Sequence, residues 1–264
     1  MDLKLAGKTA LVTGATAGIG LAIAERLVTE GVRVIVPGRS ADKLAAARAQ
    51  LAKHGSADSV VTLEANPATA EGAAAIVAAF PDVDILVNNL GIYEKKDFAD
   101  ITDDDWRRLF EVNVLSGARL SRHYFPRMLE NNSGRIIFIA SESALLVPAE
   151  MVHYGMTKTA QLAISRGLAV QTKGTKVTVN TVLPGPTRSE GIADFLKSVS
   201  SDPTSSPEAM EAEFFKTTRP LSLLQRMIEA SEVADLVAFV ASPLSAATNG
   251  AALRVDGGIT PTIA

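Results

Sequence analysis

Seven short apolar runs punctuate the chain: Thr9 to Thr13, Val32 to Val36, Val60 to Leu63, Ile85 to Val87, Arg135 to Ala140, Val177 to Leu183 and Ala252 to Val255. They are rich in β-branched residues and lack a polar face, the pattern of strands buried on both sides. Between them lie longer stretches with helical spacing: Ile19 to Glu30, Leu44 to Lys53, Ala70 to Phe80, Trp106 to Leu129, Met151 to Lys173 and Val233 to Val240. Strand alternating with helix predicts a doubly wound α/β domain. Its seven-stranded sheet should be mainly parallel, with helices on both faces, and the whole of 1–264 should form one domain.

Boundary residues sharpen this pattern. Ser40, Thr102 and Ser231 are placed to cap the helices that follow, while Gly31, Gly55 and Gly174 stand where helices should stop. Pro126 lies inside a helical stretch and is expected to kink or break it, dividing 102–130 into two pieces. The alternation lapses from about 186 to 225, where Ser198 to Ser206 is rich in Ser, Pro and Asp between two helical patches. This insertion reads either as a substrate-side lid or as a tolerated surface loop.

Composition narrows the function. A net charge of −3 with 21% charged residues gives no one-signed surface, so nucleic acid is not an expected partner. The chain has no cysteine, which excludes disulfides and thiolate chemistry. No apolar run reaches the roughly 18 to 20 residues of a membrane-spanning helix, and the mixed N-terminus does not read as a signal peptide. A soluble, cytoplasmic protein is expected. His54, His123 and His153 lack metal-ligand spacing, so no metal is expected, and Asp103 to Asp105 is better suited to a helix N-terminus than to a metal.

Thr13-Gly14-Ala15-Thr16-Ala17-Gly18-Ile19-Gly20 follows the first strand and opens the first helix. In that setting Gly14 permits a sharp turn, Gly18 lets backbone approach a pyrophosphate, and Gly20 allows helix and strand to pack closely. Tyr154 and Lys158 are spaced to share one face of a later helix. An ammonium beside a tyrosine favours phenolate and is expected to lower the phenol's pKa toward the range of efficient proton transfer. His153, the neighbour of Tyr154, would point about 100° away and is not expected to share in that transfer.

The turn's spacing, Gly-x-x-x-Gly-x-Gly, resembles Thr-Gly-x-x-x-Gly-Ile-Gly of the short-chain dehydrogenase/reductase family, which has a Rossmann-like fold. Asn88-Asn89-Leu90-Gly91 is similar to the family's Asn-Asn-Ala-Gly, with Leu90 in place of Ala, and Val255-Asp256-Gly257-Gly258 to its closing motif. Ser141 stands thirteen residues before Tyr154, as the family's catalytic Ser and Tyr do, and Asn113 matches its helix Asn. The resemblance implies that Ser141 hydrogen-bonds the substrate oxygen, Tyr154 transfers the proton, Lys158 also binds the nicotinamide ribose, and Asn113 holds a water beside the lysine. It further implies cofactor contacts at Gly14, Thr16, Gly18, Ile19, Gly20, Asn66, Asn88, Gly91, Tyr154, Pro184, Gly185, Thr187 and Ser189. Asn66 replaces the family's common Asp, and Ser189 its common Thr.

The second strand ends in Pro37-Gly38-Arg39-Ser40. A carboxylate at the place of Gly38 would bind a ribose and repel a 2′-phosphate, whereas Arg39 offers that phosphate a guanidinium. NADP(H) is therefore favoured and NAD(H) is the alternative; Ala17 supplies no second basic residue. The expected function is hydride transfer between nicotinamide and a small-molecule carbonyl or secondary alcohol. The alternatives are an NAD(H)-preferring alcohol dehydrogenase of the same family and a non-catalytic dinucleotide-binding sensor. Tyr93, Ser143, Leu145, Val147 and Met151 are expected to line the pocket. The resemblance also implies a homotetramer or homodimer joined through helices around 102–130 and 151–173.

Overall fold

The computed structural model describes residues 1–189 and 192–263. Seven strands form one sheet: β1 (Thr9–Val12), β2 (Arg33–Gly38), β3 (Val60–Glu64), β4 (Ile85–Asn88), β5 (Gly134–Ile139), β6 (Val177–Pro184) and β7 (Ala252–Val255). Their order is β3-β2-β1-β4-β5-β6-β7 and every pairing is parallel. The chain winds outward from β1 to β3, then crosses to β4 on the other side of β1. Loops leaving β1 and β4 therefore diverge at the carboxyl edge, opening a crevice at this switch point.

Nine α-helices are described: α1 (Gly18–Thr29), α2 (Ala41–Leu51), α3 (Ala70–Ala79), α4 (Asp103–Phe110), α5 (Ser116–Glu130), α6 (Val152–Val170), α7 (Ile192–Val199), α8 (Pro207–Thr217) and α9 (Ala230–Ala241). Strand side chains alternate between faces and build two cores. Ala10, Val12, Ile85, Val87, Ile137 and Ile139 pack with α1, α2 and α9. Leu11, Leu86, Ile136 and Phe138 pack on the other face with α3, α5 and α6. Burial on both faces explains why the central strands lack a polar side; the edge strand β7 instead alternates exposed and half-buried residues, with Arg254 outward, because no strand covers its far side.

Most expected boundaries hold. Ser40 accepts from the Lys43 amide, and Thr102 forms a reciprocal cap with Asp105. Gly31 and Gly174, at φ +79° and +80°, turn the chain after α1 and α6. Ser231 does not cap α9, which starts earlier because Glu229 and Glu232 cap each other's backbone there, with Arg226 paired to Glu232 at 2.8 Å. Gly55 does not end α2, which stops at Leu51; a Cβ at Gly55 would lie 2.6 Å from Val28 Cγ1, so the glycine serves close packing on α1.

Pro126 does not break α5. It faces solvent, where water can satisfy the carbonyl it leaves without an amide partner. The division of 102–130 comes instead from a π-helical turn at Glu111–Leu115, between α4 and α5. The insertion is no bare loop: α7 and α8 share an apolar core of Leu196, Met210, Phe214, Phe215 and Met227. Arg188 ties it to the body through Glu211 at 2.9 Å and Glu229 at 3.0 Å.

Candidate active site

β5 ends at Ile139, and Ser141 follows in extended backbone before a short 3-10 turn, Glu142–Ala144. This turn aims Ser141 into a cleft at the carboxyl edge of the sheet. α6 brings Tyr154 to the same cleft, with Lys158 one turn deeper. The two serve as different layers of one site: Tyr154 lines the cavity, whereas Lys158 is only 4% exposed and donates to the Ile139 carbonyl at 3.0 Å. Ser141 and Tyr154 both border this cavity.

The electrostatics differ from the expectation of a depressed tyrosine. Burial pushes the Tyr154 hydroxyl above the ordinary tyrosine range, and the Glu142 carboxylate adds to that shift, while the Ser141 contact offsets part of it. Burial pulls Lys158 down to about 8, with Glu142 partly restoring its charge. An ammonium in a dry site is weakened by the same desolvation that disfavours phenolate. Tyr154 is therefore a neutral phenol here, in the form that can donate a proton.

Asn113 lies in the π-helical turn, which rotates it out of α-helical register and into the site. Its Nδ2 donates to the Ile92 carbonyl and to Thr157 Oγ1, each at 2.9 Å, and its Oδ1 accepts from the Ile92 amide at 2.8 Å. Gln161 donates to its backbone carbonyl at 2.5 Å. Asn113 thus clamps the turn after β4 to α6. Gly91 sits between: a Cβ there would meet Lys158 Nζ at 3.2 Å and Asn113 Oδ1 at 3.6 Å.

The glycine turn is a cradle that side chains would fill. A Cβ at Gly20 would lie 2.3 Å from the Gly14 carbonyl oxygen, and one at Gly18, where φ is +55°, would touch Ser189 Cβ at 3.4 Å. α1 begins without a side-chain cap and without an acid in its first turn, unlike α4. Its leading amides suit an anionic ligand. Thr16 lies against Gly38 at the end of β2, and Arg39 beyond it is exposed with no ion-pair partner among the described residues. This donor set fits a dinucleotide phosphate chain. The Asn66 side-chain oxygen accepts from the Ala68 amide at 3.1 Å, fixing the bend after β3 and leaving its amide nitrogen as a donor.

Asn88 departs from its expected place. It ends β4 with its side chain turned to α5, where Nδ2 donates to Ser121 Oγ at 3.1 Å, away from the glycine turn. Its neighbour Asn89 faces the turn, donating to the carbonyls of Thr13 at 2.9 Å and Gly14 at 3.3 Å. Thr13 Oγ1 answers by accepting from the Asn89 and Leu90 amides, each at 3.0 Å. Neither Thr13 nor Asn89 was among the expected contacts, although both lie inside the two motifs.

One cavity joins these parts. Ile19 of the turn borders it together with Ser141, Tyr154, Pro184, Gly185, Thr187 and Ser189. The expected Tyr93, Ser143 and Met151 line it, as do Phe195 and Phe214 of the insertion. Leu145 and Val147 do not: the 3-10 turn carries them outward, leaving them 45% and 46% exposed. The cavity residues Glu142 and Arg219, with Ala140, escaped sequence reasoning. His153 is buried beside Tyr154 but turns toward Trp106 and Glu94, outside the cavity. Among the described residues no cluster of three His, Cys, Asp or Glu could hold a metal, and no helix is long and apolar enough to cross a membrane.

Comparison with known proteins agrees with this architecture. Residues 8–198 match the model of the short chain dehydrogenase family. The chain is 50% identical over its full length, and the relative's, to the uncharacterized oxidoreductase YvaG of Bacillus subtilis. It is 33% identical to the 3-oxoacyl-[acyl-carrier-protein] reductase of Vibrio cholerae, covering 97% of this chain and 99% of that one. The L-sorbose reductase of Gluconobacter frateurii, solved with NADPH and L-sorbose, superposes with a TM-score of 0.90 at 28% identity, covering all of both chains. With its parallel seven-stranded sheet and this match, the chain belongs to the short-chain dehydrogenase/reductase family, enzymes that oxidise or reduce at a CH–OH group with NAD(P).

Proposed function

We propose that the protein is an NADP(H)-dependent oxidoreductase that interconverts a carbonyl and a secondary alcohol, with Tyr154 as general acid and base. The observation that carries this reading is the convergence of Ser141 and Tyr154 on a cavity that also reaches Ile19 of the glycine turn. NADP(H) would supply the hydride; Gly14, Thr16, Gly18, Ile19 and Gly20 would hold its phosphates, Arg39 its 2′-phosphate, and Pro184, Gly185, Thr187 and Ser189 its nicotinamide end. Asn66 and Gly91 complete the set on the adenosine side and beneath the lysine.

The chain's own residues then divide the work. Tyr154 Oη, a neutral phenol, gives its proton to the substrate oxygen in reduction and recovers it in oxidation. Ser141 Oγ holds that oxygen against Tyr154. Lys158 keeps positive charge beneath the phenol ring, and Asn113 keeps Ile92 and α6 in place. The cavity's apolar wall, Met151, Ile192, Phe195 and Phe214, fits a substrate with an apolar body. The insertion supplies three of these four residues, which is why we assign it as a lid.

Arg39 supports NADP(H) over NAD(H) because it is exposed and has no carboxylate partner among the described residues, while Gly38 brings no acid to repel a phosphate. The test is fluorescence titration with NADPH and NADH in parallel. NADPH is expected to bind more tightly; tighter NADH binding would overturn the cofactor assignment, and binding of neither would overturn the enzyme reading. We also expect a homodimer or homotetramer through α4, α5 and α6, and light scattering showing a monomer would remove that expectation.

A further inference from the structure

The reaction above leaves a buried carboxylate of the cavity wall without a task. Glu142 lies in the cavity wall, 6% exposed, on the residue after Ser141. Its Oε2 accepts the Ser141 hydroxyl at 2.5 Å, while its Oε1 lies 3.9 Å from Nε of Arg219, just beyond α8 of the lid. Arg219 is itself mostly buried; it stacks over Phe214 at 5.7 Å and donates to the Thr218 carbonyl at 3.0 Å. Burying a carboxylate against one distant guanidinium is costly, and a Gln of similar shape would avoid that cost.

A serine hydroxyl has one proton. In this structure that proton goes to Glu142, and Ser141 Oγ accepts from the Ser143 amide at 3.1 Å. So arranged, Ser141 cannot also donate to a carbonyl oxygen. It can accept from an alcohol. If Glu142 takes up a proton, the carboxylic acid donates to Ser141 Oγ and frees the serine proton for a carbonyl. A carbonyl oxygen thus requires the protonated state of Glu142, whereas an alcohol, which can donate or accept, is held in either state.

We propose that Glu142 is a positioning residue that sets whether Ser141 donates to the substrate oxygen or accepts from it, with Arg219 of the lid holding the carboxylate state. This rests on the role given to Ser141 above. Burial raises the Glu142 carboxyl above the usual range, against the lowering effects of Ser141 and Arg219, and so favours the protonated state. The groups facing it are Arg219 from the lid and Tyr154 and Lys158 from α6; its negative charge raises both of the latter. The site then binds a carbonyl more weakly as pH rises, whereas an alcohol is held in both states.

The experiment compares wild type with E142Q and R219M, using acetophenone with NADPH and 1-phenylethanol with NADP⁺ as probes. In E142Q, Arg219 draws the amide oxygen and leaves the amide nitrogen to donate to Ser141, fixing the donor state. For wild type, KM for acetophenone should rise about tenfold with pH, the cost of losing one hydrogen bond to the carbonyl. In E142Q it should stay low and flat, while KM for 1-phenylethanol changes by less than about twofold, because an alcohol oxygen also accepts from Ser141. In R219M the acetophenone rise should move to higher pH. An unchanged pH profile in E142Q, or equal weakening of both probes, would overturn the proposal by leaving Glu142 only a structural part.

A second readout needs no turnover. Carboxyl ¹³C NMR of the NADPH-loaded protein, assigned through E142Q, should show Glu142 titrating above ordinary glutamates and higher still in R219M. A midpoint in the ordinary range that ignores R219M would overturn the proposal. Failure of the enzyme reading shows elsewhere, as Y154F with undiminished turnover.

Discussion

The Lys158 ammonium lies 5.6 Å from the centroid of the Tyr154 ring and donates to the Ile139 carbonyl beneath it. The lysine therefore meets the phenol through its face and touches the strand that delivers Ser141. A lysine charge favours phenolate only while it stays protonated, and burial holds Lys158 near the edge of that condition, down to about 8. Tyr154→Phe removes the hydroxyl and little else. It should leave NADPH affinity within about twofold and lower turnover by about 10² to 10⁴, the usual worth of a placed acid. Equilibrium titration and steady-state rates on the same preparation check both halves; near-normal turnover would remove Tyr154 as the acid.

Lys158 should trade stability for activity. Its folded value near 8 lies below the ordinary 10.5, so the unfolded chain binds more protons between these values and stability rises with pH across that window. Below pH 8 the penalty is complete, on the order of 3 kcal/mol. Lys158→Met keeps the bulk and drops the charge. It should be inactive, should unfold at higher temperature than wild type at pH 7, and should lose that advantage as pH rises from about 8 to 10.5. Calorimetric scans across pH test this: a variant that is less stable at pH 7 would mean that the bond to Ile139 outweighs the desolvation of the ammonium.

The central strands were legible because burial on both faces leaves a plain sequence mark, an unbroken apolar run. The glycine turn and Tyr154 with Lys158 were legible because each is a local pattern read within one turn or loop. What escaped depended on tertiary geometry. Asn88 and Asn89 look alike in sequence, but successive residues leaving a strand face opposite ways, so the pleat gives one to Ser121 and the other to Gly14. Glu142 and Arg219 are distant in sequence and meet only because the insertion packs near the turn after β5. Leu145 and Val147 were misplaced because a single 3-10 turn sends them to the surface. The shift of Tyr154 was missed because helical spacing reveals its lysine but not the burial or the neighbouring carboxylate that oppose it.

Phe214 belongs to two structures at once, the insertion's own core and the cavity wall. Its ring packs edge-on against Phe195 at 5.7 Å and against Phe215 at 5.1 Å, and supports the Arg219 guanidinium. Phe214→Ala should loosen α7 and α8 without unfolding the sheet, whose two cores it does not enter. The expected result is faster amide exchange confined to 192–217 and a KM raised about tenfold or more, with a smaller change in kcat. Exchange accelerated equally throughout the sheet would show that the lid is part of the global folding unit.

Arg39 offers the sharpest separation of cofactor choice from catalysis, because it is exposed, lies at the end of β2 and has no ion pair among the described residues to lose. Arg39→Ala should therefore leave stability nearly unchanged, since exposed side chains without partners contribute little. NADPH affinity should fall by about tenfold or more, the worth of a charge-assisted contact to phosphate, while NADH affinity stays within about twofold. Salt gives an independent check: raising ionic strength should weaken NADPH binding to wild type more than to the variant, because the charge that salt screens is the one removed. If both cofactors weaken together, Arg39 shapes the loop after β2 instead of reading the phosphate. If neither weakens, the preference comes from the backbone of the turn, and Thr16, which lies against Gly38, becomes the next position to change.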